Sequence, residues 1–207
     1  VGTEKKSRVM SEREKKLTAY HEAGHAIATY YCETQDPVHQ ISIIPRGMAG
    51  GYTMHLPTED RSYRSRTEMK EELIVLLGGR VAEALVLGDI STGASNDIER
   101  ATKIVRAMVM KYGMSDQLGP ITYGTDDSNP FLGKEMGHVS NYSERTAAEI
   151  VEEIQRMMGE AYQQTEQILK DHMEELHRLA GVLFEREKVD AQEFLDVMNG
   201  KLLPSAM

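Results

Sequence analysis

The chain has 207 residues, 40% of them apolar, which is enough for one domain of ordinary size with a packed core. Asp and Glu outnumber Lys and Arg by 33 to 24, and the net charge of −9 disfavours a protein that binds nucleic acid or an anionic membrane surface. The single cysteine, Cys32, excludes an internal disulfide and a zinc site made of several thiolates. Any metal site must therefore use histidines and carboxylates.

The apolar runs and the first residues of the chain indicate whether it crosses a membrane or carries a secretory signal. No stretch approaches the roughly 20 apolar residues that a membrane span needs, so we expect this chain to be soluble. Residues 1–8, which begin at Val1, lack the apolar core of a secretory signal. We therefore expect the chain to be a fragment of a larger protein.

The first predicted helix follows Ser11, which has the spacing of a capping box with Glu14. Apolar and small residues then recur at steps of three and four as far as Tyr31, which places them on one face of a helix. The pattern ends over 34–37. This part of the sequence predicts an amphipathic helix of about five turns.

A small β-ribbon is predicted next. β-Branched residues over 39–44 indicate one strand, and 52–56 can return as a second strand. The segment 45–51 joins them and contains three glycines, which is typical of a turn. A ribbon of this size is stable only with helices packed behind it, so we expect little sheet in the molecule.

A polar loop over 58–66 precedes a helix that is predicted from Thr67 to Gly88. Its middle carries Gly78 and Gly79, which destabilise a helix by about 1 kcal/mol each relative to Ala. Close contact of the backbone with another element is the physical reason we expect for this pair.

The rest of the chain reads as helices with one irregular segment. A small-residue loop over 91–97 leads into a helix that Asn96 and Glu99 are predicted to cap and that ends at Gly113. The segment 114–142 is rich in Gly, Asp, Asn, Ser and Pro, which predicts irregular structure.

Helical periodicity resumes after Ser143 and continues almost to the end, where Asp190 and Glu193 are spaced to cap a last short helix. The predicted fold is therefore mainly α, an array of about six helices with a two-stranded β-ribbon.

The first helix contains His21-Glu22-Ala23-Gly24-His25, which matches the motif H-E-x-x-H in the helical context that it requires. Residues four apart project from the same side of a helix about 6 Å from each other, so His21 and His25 can bind one cation. Glu22 points roughly 100° aside, where it can act on a water molecule as a general base. Two buried histidines beside a surface Glu are the structural alternative.

A catalytic zinc ion needs a third protein ligand and an open position for water. Ala28 and Tyr31 occupy the places of the glycine and the third histidine of the metzincins, so that subclass is excluded. The remaining histidines are better explained as solvated side chains or as part of the ribbon and loops: His39, His55, His138, His172 and His177.

Two carboxylates stand out as the third ligand. Asp97 is predicted in the first turn of a helix, where backbone N–H groups and the helix dipole favour the ionised form. Glu83 lies on the glycine-bearing helix and can ligate the metal or orient a ligand histidine from behind. Spacing alone leaves both alternatives open.

Several motifs occur in a fixed order along the chain: the H-E-A-G-H core within 11–26, I-I-P-R-G at 43–47, L-G-G-R-V-A-E at 77–83, S-T-G-A-S-N-D at 91–97, G-M-S at 113–115, P-F-L-G at 130–133 and N-Y-S-E at 141–144. Together they resemble the peptidase domain of the FtsH family of membrane-anchored, ATP-dependent zinc metalloproteases. The resemblance covers nearly all of the chain and is far more specific than H-E-x-x-H alone.

The resemblance implies a role for each matching position. His21 and His25 would bind one zinc ion per chain, and Glu22 would be the catalytic base. The third ligand of the family is the aspartate that ends the S-T-G-A-x-x-D stretch, here Asp97. Glu83 falls in the G-G-R-x-A-E segment, and its role stays open.

The resemblance also implies a larger protein. We expect 1–207 to be its zinc metallopeptidase domain, with an active-site part over 1–142 and a C-terminal helical part over 143–207. The family's membrane segments and AAA ATPase are absent here, and the chain has no phosphate-binding loop, so it should bind zinc but not ATP.

The parent protein is expected to be a homo-hexamer that degrades unfolded or misassembled polypeptides in protein quality control. It would lie in a bacterial or organellar inner membrane, with this domain on the cytoplasmic, matrix or stromal side. An extended substrate can pair with the ribbon edge over 50–54.

Two other functions are weighed against this one. A self-contained soluble metallopeptidase would cleave peptides without ATP. A non-proteolytic hexamerisation module would keep the helices and lose the metal chemistry, and a zinc assay separates it from the peptidases.

Overall fold

The computed structural model describes residues 10–124 and 142–205. Within this part of the chain it has six α-helices and one three-stranded antiparallel sheet. The mainly α fold predicted from the sequence is confirmed. The P-F-L-G motif at 130–133 and His138 lie outside the described residues.

Two of the strands lie between the first and second helices, and the third strand lies between the last two helices. The helices are α1 Glu12–Tyr30, α2 Arg66–Ala82, α3 Ser95–Met110, α4 Glu144–Asp171, α5 Met173–Arg186 and α6 Ala191–Met198. The strands are β1 Val38–Ser42, β2 Tyr52–His55 and β3 Lys188–Asp190. None of the helices in the described part combines the length and the apolar character needed to cross a bilayer.

Helix α1 lies at the centre of the molecule. It begins as predicted, with the Glu14 amide donating to Ser11 Oγ at 3.2 Å. Every residue over 21–29 is buried, because α2, α5 and β1 pack around this half of the helix. The sequence predicted one apolar face, whereas this half of the helix is covered on all sides, as its run of small residues allows.

The predicted two-stranded ribbon is wrong in one respect, because the sheet has a third strand. The strand order is β2-β1-β3, and Ile41 of β1 lies opposite Thr53 on one side and Val189 on the other. The third strand has only three residues, too few for a period-2 pattern to be recognised. The order leaves β2 at an edge of the sheet.

The two glycines of α2 lie where this helix crosses α1. A Cβ built on Gly78 would lie 2.6 Å from the carbonyl oxygen of Gly24, and one on Gly24 would lie 2.2 Å from the Gly78 oxygen. A Cβ on Gly79 would lie 2.4 Å from the imidazole of His21. The predicted close backbone contact is confirmed, and it places α2 directly against the H-E-x-x-H segment.

Two predicted helix starts differ from the structure. Helix α2 begins earlier than Thr67, because Ser65 and Glu68 form a capping box. Helix α3 begins at Ser95 after a 3₁₀ turn, so Asn96 lies inside its first turn and does not cap it. The shift leaves Asp97 in the first turn, as predicted.

Candidate metal centre

Three side chains from two helices converge on one point. His21 and His25 extend from α1, and Asp97 extends from the first turn of α3. The two Nε2 atoms are 3.0 Å apart, and Asp97 Oδ2 lies 3.1 Å from His21 Nε2 and 3.2 Å from His25 Nε2. The structure therefore brings together all three residues that the sequence analysis selected as metal ligands.

The other ring nitrogen of each histidine has a partner that fixes the tautomer. His25 Nδ1 lies 2.7 Å from the main-chain oxygen of Val75 on α2. His21 Nδ1 lies 3.3 Å from Glu83 Oε2. Both partners are acceptors, so a neutral imidazole at either position carries its proton on Nδ1 and has the lone pair of Nε2 available for a metal.

This arrangement fits a tetrahedral zinc site. Three lone pairs that converge within 3.2 Å repel one another unless a positive charge lies between them. Tetrahedral coordination at the usual zinc–nitrogen and zinc–oxygen distances separates neighbouring ligand atoms by about 3.3 Å. The donor set of two imidazoles and one carboxylate is also one that zinc prefers and that leaves a fourth position open.

The electrostatics of the protein without a metal point the same way. Burial lowers the pKa of His21, but the hydrogen bonds to Asp97 and Glu83 outweigh it and raise that pKa to about 10. Burial raises the pKa of Asp97, yet its hydrogen bonds from His21 and His25 hold that pKa well below the usual range. The cluster therefore stabilises a positive charge beside an ionised carboxylate.

Glu83 lies behind the cluster and not within it. Its side chain is fully buried where α2 continues into a π-helical turn, Glu83–Leu87. One carboxylate oxygen faces His21 Nδ1, and the other accepts a short hydrogen bond from the Ser91 hydroxyl. Burial raises the pKa of Glu83, but the hydrogen bonds with His21 and Ser91 outweigh this effect. The pKa of Glu83 is therefore below its usual value, and the group is ionised. Of the two alternatives left open by spacing, the structure places Glu83 as the partner of a histidine.

Glu22 is buried next to the cluster and faces the sheet. Its Oε2 accepts a hydrogen bond from Thr53 Oγ1 of β2 at 2.8 Å. The same hydroxyl lies 3.2 Å from the main-chain oxygen of Glu22. Glu22 therefore follows His21 directly on α1 but is not one of the three side chains that converge. Its role as a base stays a prediction.

The other described histidines do not join the cluster. His55 Nε2 lies 3.0 Å from Thr29 Oγ1, one helical turn beyond His25. His177 Nδ1 lies 2.7 Å from the hydroxyl of Tyr20.

Sequence reasoning missed two partners of the site, the Val75 oxygen and Thr53. A main-chain oxygen leaves no side-chain signal in a sequence. The pairing of Thr53 with Glu22 depends on how β2 lies on α1, which the sequence pattern does not specify.

The fold and the site together are those expected of an H-E-x-x-H metallopeptidase, with an aspartate of a later helix beside the two histidines. Comparison with known proteins gives the family. Residues 8–197 match the model of Peptidase family M41, and the chain belongs to this family.

The curated relatives agree with this assignment. The chain is 57% identical over 200 residues to "ATP-dependent zinc metalloprotease FtsH 1" of Thermoanaerobacter sp. strain X514, which covers 97% of this chain and 33% of the relative. It is 57% identical over 194 residues to "ATP-dependent zinc metalloprotease FtsH" of Caldicellulosiruptor bescii, which covers 94% of this chain and 32% of the relative. The predictions of the FtsH family and of a zinc metallopeptidase are confirmed. The chain spans about a third of the length of these relatives.

Proposed function

We propose that this chain is the zinc-dependent endopeptidase domain of an ATP-dependent protease. His21, His25 and Asp97 hold one zinc ion, and Glu22 is the general base. The observation that carries the proposal is the convergence of three possible ligand atoms, two imidazole nitrogens and one carboxylate oxygen, within 3.2 Å of one another.

Zinc in such a site lowers the pKa of a bound water to about 7 and polarises a carbonyl group. The chain's own residues supply the remaining chemistry. Glu22 takes a proton from the attacking water and returns it to the leaving amine, which is the two-way transfer that peptide hydrolysis needs. Val75 and Glu83 keep the Nε2 lone pairs of the two histidines directed at the metal.

The edge strand β2 is the proposed binding site for the substrate backbone. No described strand pairs with its outer side. The Leu56 amide donates to the Pro37 oxygen, so the main-chain groups of Leu56 point toward the side of β1. Because these groups alternate in direction along an antiparallel strand, those of Thr53 and His55 point outward. An extended peptide can pair with these groups irrespective of its sequence, which suits a protease for unfolded polypeptides.

The whole protein is proposed from its relatives. Relatives named as ATP-dependent proteases are about three times as long as this chain, so ATP would be used by a part of the protein outside these residues. We propose a homo-hexamer anchored in a bacterial or organellar inner membrane, with this domain on the cytoplasmic, matrix or stromal side.

The test is the substitution Glu22→Gln in the complete protein that contains this chain, with zinc and ATP supplied and β-casein as substrate. We expect proteolysis to fall by about 100-fold or more, since general base catalysis contributes about 10²–10⁴-fold. Zinc content should stay at one per chain, because Glu22 is not a ligand. The matched control is Glu152→Gln on the exposed side of α4, which should leave the rate unchanged. Undiminished proteolysis by Glu22→Gln would overturn the assignment of the base.

A further inference from the structure

Glu22 lies on α1, next to His21 of the cluster. Its carboxylate is held by a hydrogen bond from another element, the edge strand β2. A glutamate side chain rotates about three bonds, so a buried carboxylate at this position needs a contact that selects one orientation. Thr53 Oγ1 is 2.8 Å from Glu22 Oε2, the distance of a hydrogen bond from a hydroxyl to a carboxylate. The hydroxyl has one proton, and the Glu22 carboxylate is its nearer acceptor, because the main-chain oxygen of Glu22 is farther away at 3.2 Å.

Packing holds β2 and Glu22 together as well. Gly51, just before the strand, approaches α1 so closely that a Cβ there would lie 3.1 Å from Glu22 Cγ and 2.9 Å from Thr18 Cγ2. The same Cβ would lie 2.6 Å from the Ser42 oxygen of β1, so Gly51 is enclosed between α1 and β1. The stem of Glu22 is thus confined by Gly51, and its carboxylate is oriented by Thr53.

We propose that Thr53 is a positioning residue for peptide hydrolysis, and that its hydroxyl orients the general base Glu22. The bond occupies Oε2 and leaves Oε1 to accept the proton of the attacking water. This inference rests on the proposed role of Glu22. It adds that the strand offered to the substrate backbone also sets the direction of the catalytic carboxylate.

The test uses three substitutions in the complete, zinc-loaded protein, with steady-state cleavage of a fluorogenic peptide. Thr53→Val keeps the shape and the strand propensity of threonine but removes the hydroxyl. We expect kcat to fall roughly 10- to 100-fold, the usual cost of losing a partner that orients an active group, with KM within about twofold of the wild type. Thr53→Ser restores the hydroxyl and should recover most of kcat. Zinc should remain at one per chain in both variants.

The matched control is Thr102→Val, the same substitution at a threonine of α3 whose hydroxyl donates to the Ile98 main-chain oxygen at 2.8 Å and not to Glu22. It should leave kcat unchanged. An unchanged kcat in Thr53→Val, an equal loss in Thr53→Ser, a raised KM alone or a loss of zinc would each contradict the positioning role.

Glu22→Gln is measured beside these variants, so that the two claims can fail separately. If Glu22→Gln is inactive while Thr53→Val is fully active, the base is correct and the positioning inference is wrong. If Glu22→Gln keeps full activity, the proposed assignment of the base is wrong, and the positioning inference that rests on it falls as well.

Discussion

At the scale of single residues, the two histidines of the cluster differ in what holds them. His25 donates to the Val75 main-chain oxygen, a partner that no change of side chain at position 75 removes. His21 donates to the carboxylate of Glu83, which is itself bonded by Ser91. Glu83 is therefore the residue through which the orientation of a proposed ligand, His21, can be altered without replacing it.

The first prediction concerns Glu83→Gln. The amide oxygen still accepts from His21 Nδ1, but the negative charge that raises the basicity of the imidazole is lost. We expect the zinc affinity to fall about 10-fold and no more than roughly 100-fold, as for other partners of metal-ligating histidines. Competition with a chromophoric chelator measures it, with Glu152→Gln as control. An unchanged affinity would mean that Glu83 has no influence on the metal.

The second prediction concerns the lone thiol. Cys32 is buried near the end of α1, and burial together with the nearby carboxylate of Glu71 raises its pKa to about 12. The reactive thiolate is therefore a minor species at any pH below about 11. We expect Ellman's reagent to react with the native protein at pH 8 at least ~100-fold more slowly than with the protein in guanidinium chloride. Equal rates would contradict the buried position.

The sequence identifies some of the proposed ligands more firmly than others, and the reason is physical. The spacing of His21 and His25 defines their geometry, because both lie on one helix. The choice between Asp97 and Glu83 depends on how α2 and α3 pack on α1, and that packing is a tertiary property. Resemblance selected Asp97, and the structure places its carboxylate with the two histidines.

At the scale of elements, the crossing of α1 and α2 determines the position of the site. Gly24 and Gly78 let the two backbones touch, and Gly79 faces the ring of His21. Any side chain at these positions would push α2 outward and would move both the Val75 oxygen and Glu83 away from the histidines. The glycines are therefore part of the site's geometry although they carry no chemistry.

The third prediction compares two glycines in helices. Gly78→Ala gains helix propensity but places a Cβ against the Gly24 backbone, so we expect a net loss of about 1–3 kcal/mol in the free energy of unfolding, together with weaker zinc binding. Gly159→Ala on α4 has no atom within 4 Å of the new Cβ and should instead stabilise by about 0.5–1 kcal/mol. Urea unfolding measures both changes. A neutral or stabilising Gly78→Ala would contradict the close crossing.

The elements also show where sequence patterns stop being informative. Helix α1 and the cap of the last helix were predicted because capping residues and periodicity agree there. Strand β3 was missed, since three residues carry no pattern and its pairing with β1 joins positions about 150 residues apart. The π-helical turn that places Glu83 has no local signature either.

At the scale of the whole molecule, the two halves of the described chain share one core. Strand β3 pairs with β1, α5 packs on α1, and α4 packs on α2. The C-terminal helices therefore support the helix that carries H-E-x-x-H as well as the sheet whose edge faces Glu22. Composition predicted a helix-rich domain, but this arrangement depends on contacts between residues far apart in the sequence.

The most direct test of the account is the zinc content of the purified protein and of two variants, measured by inductively coupled plasma mass spectrometry after desalting. The account predicts one zinc per chain in the wild type, a loss of stoichiometric zinc in Asp97→Ala, and one zinc, held more weakly, in Glu83→Ala. The opposite pattern, with zinc retained in Asp97→Ala and lost in Glu83→Ala, would contradict the proposed ligand set.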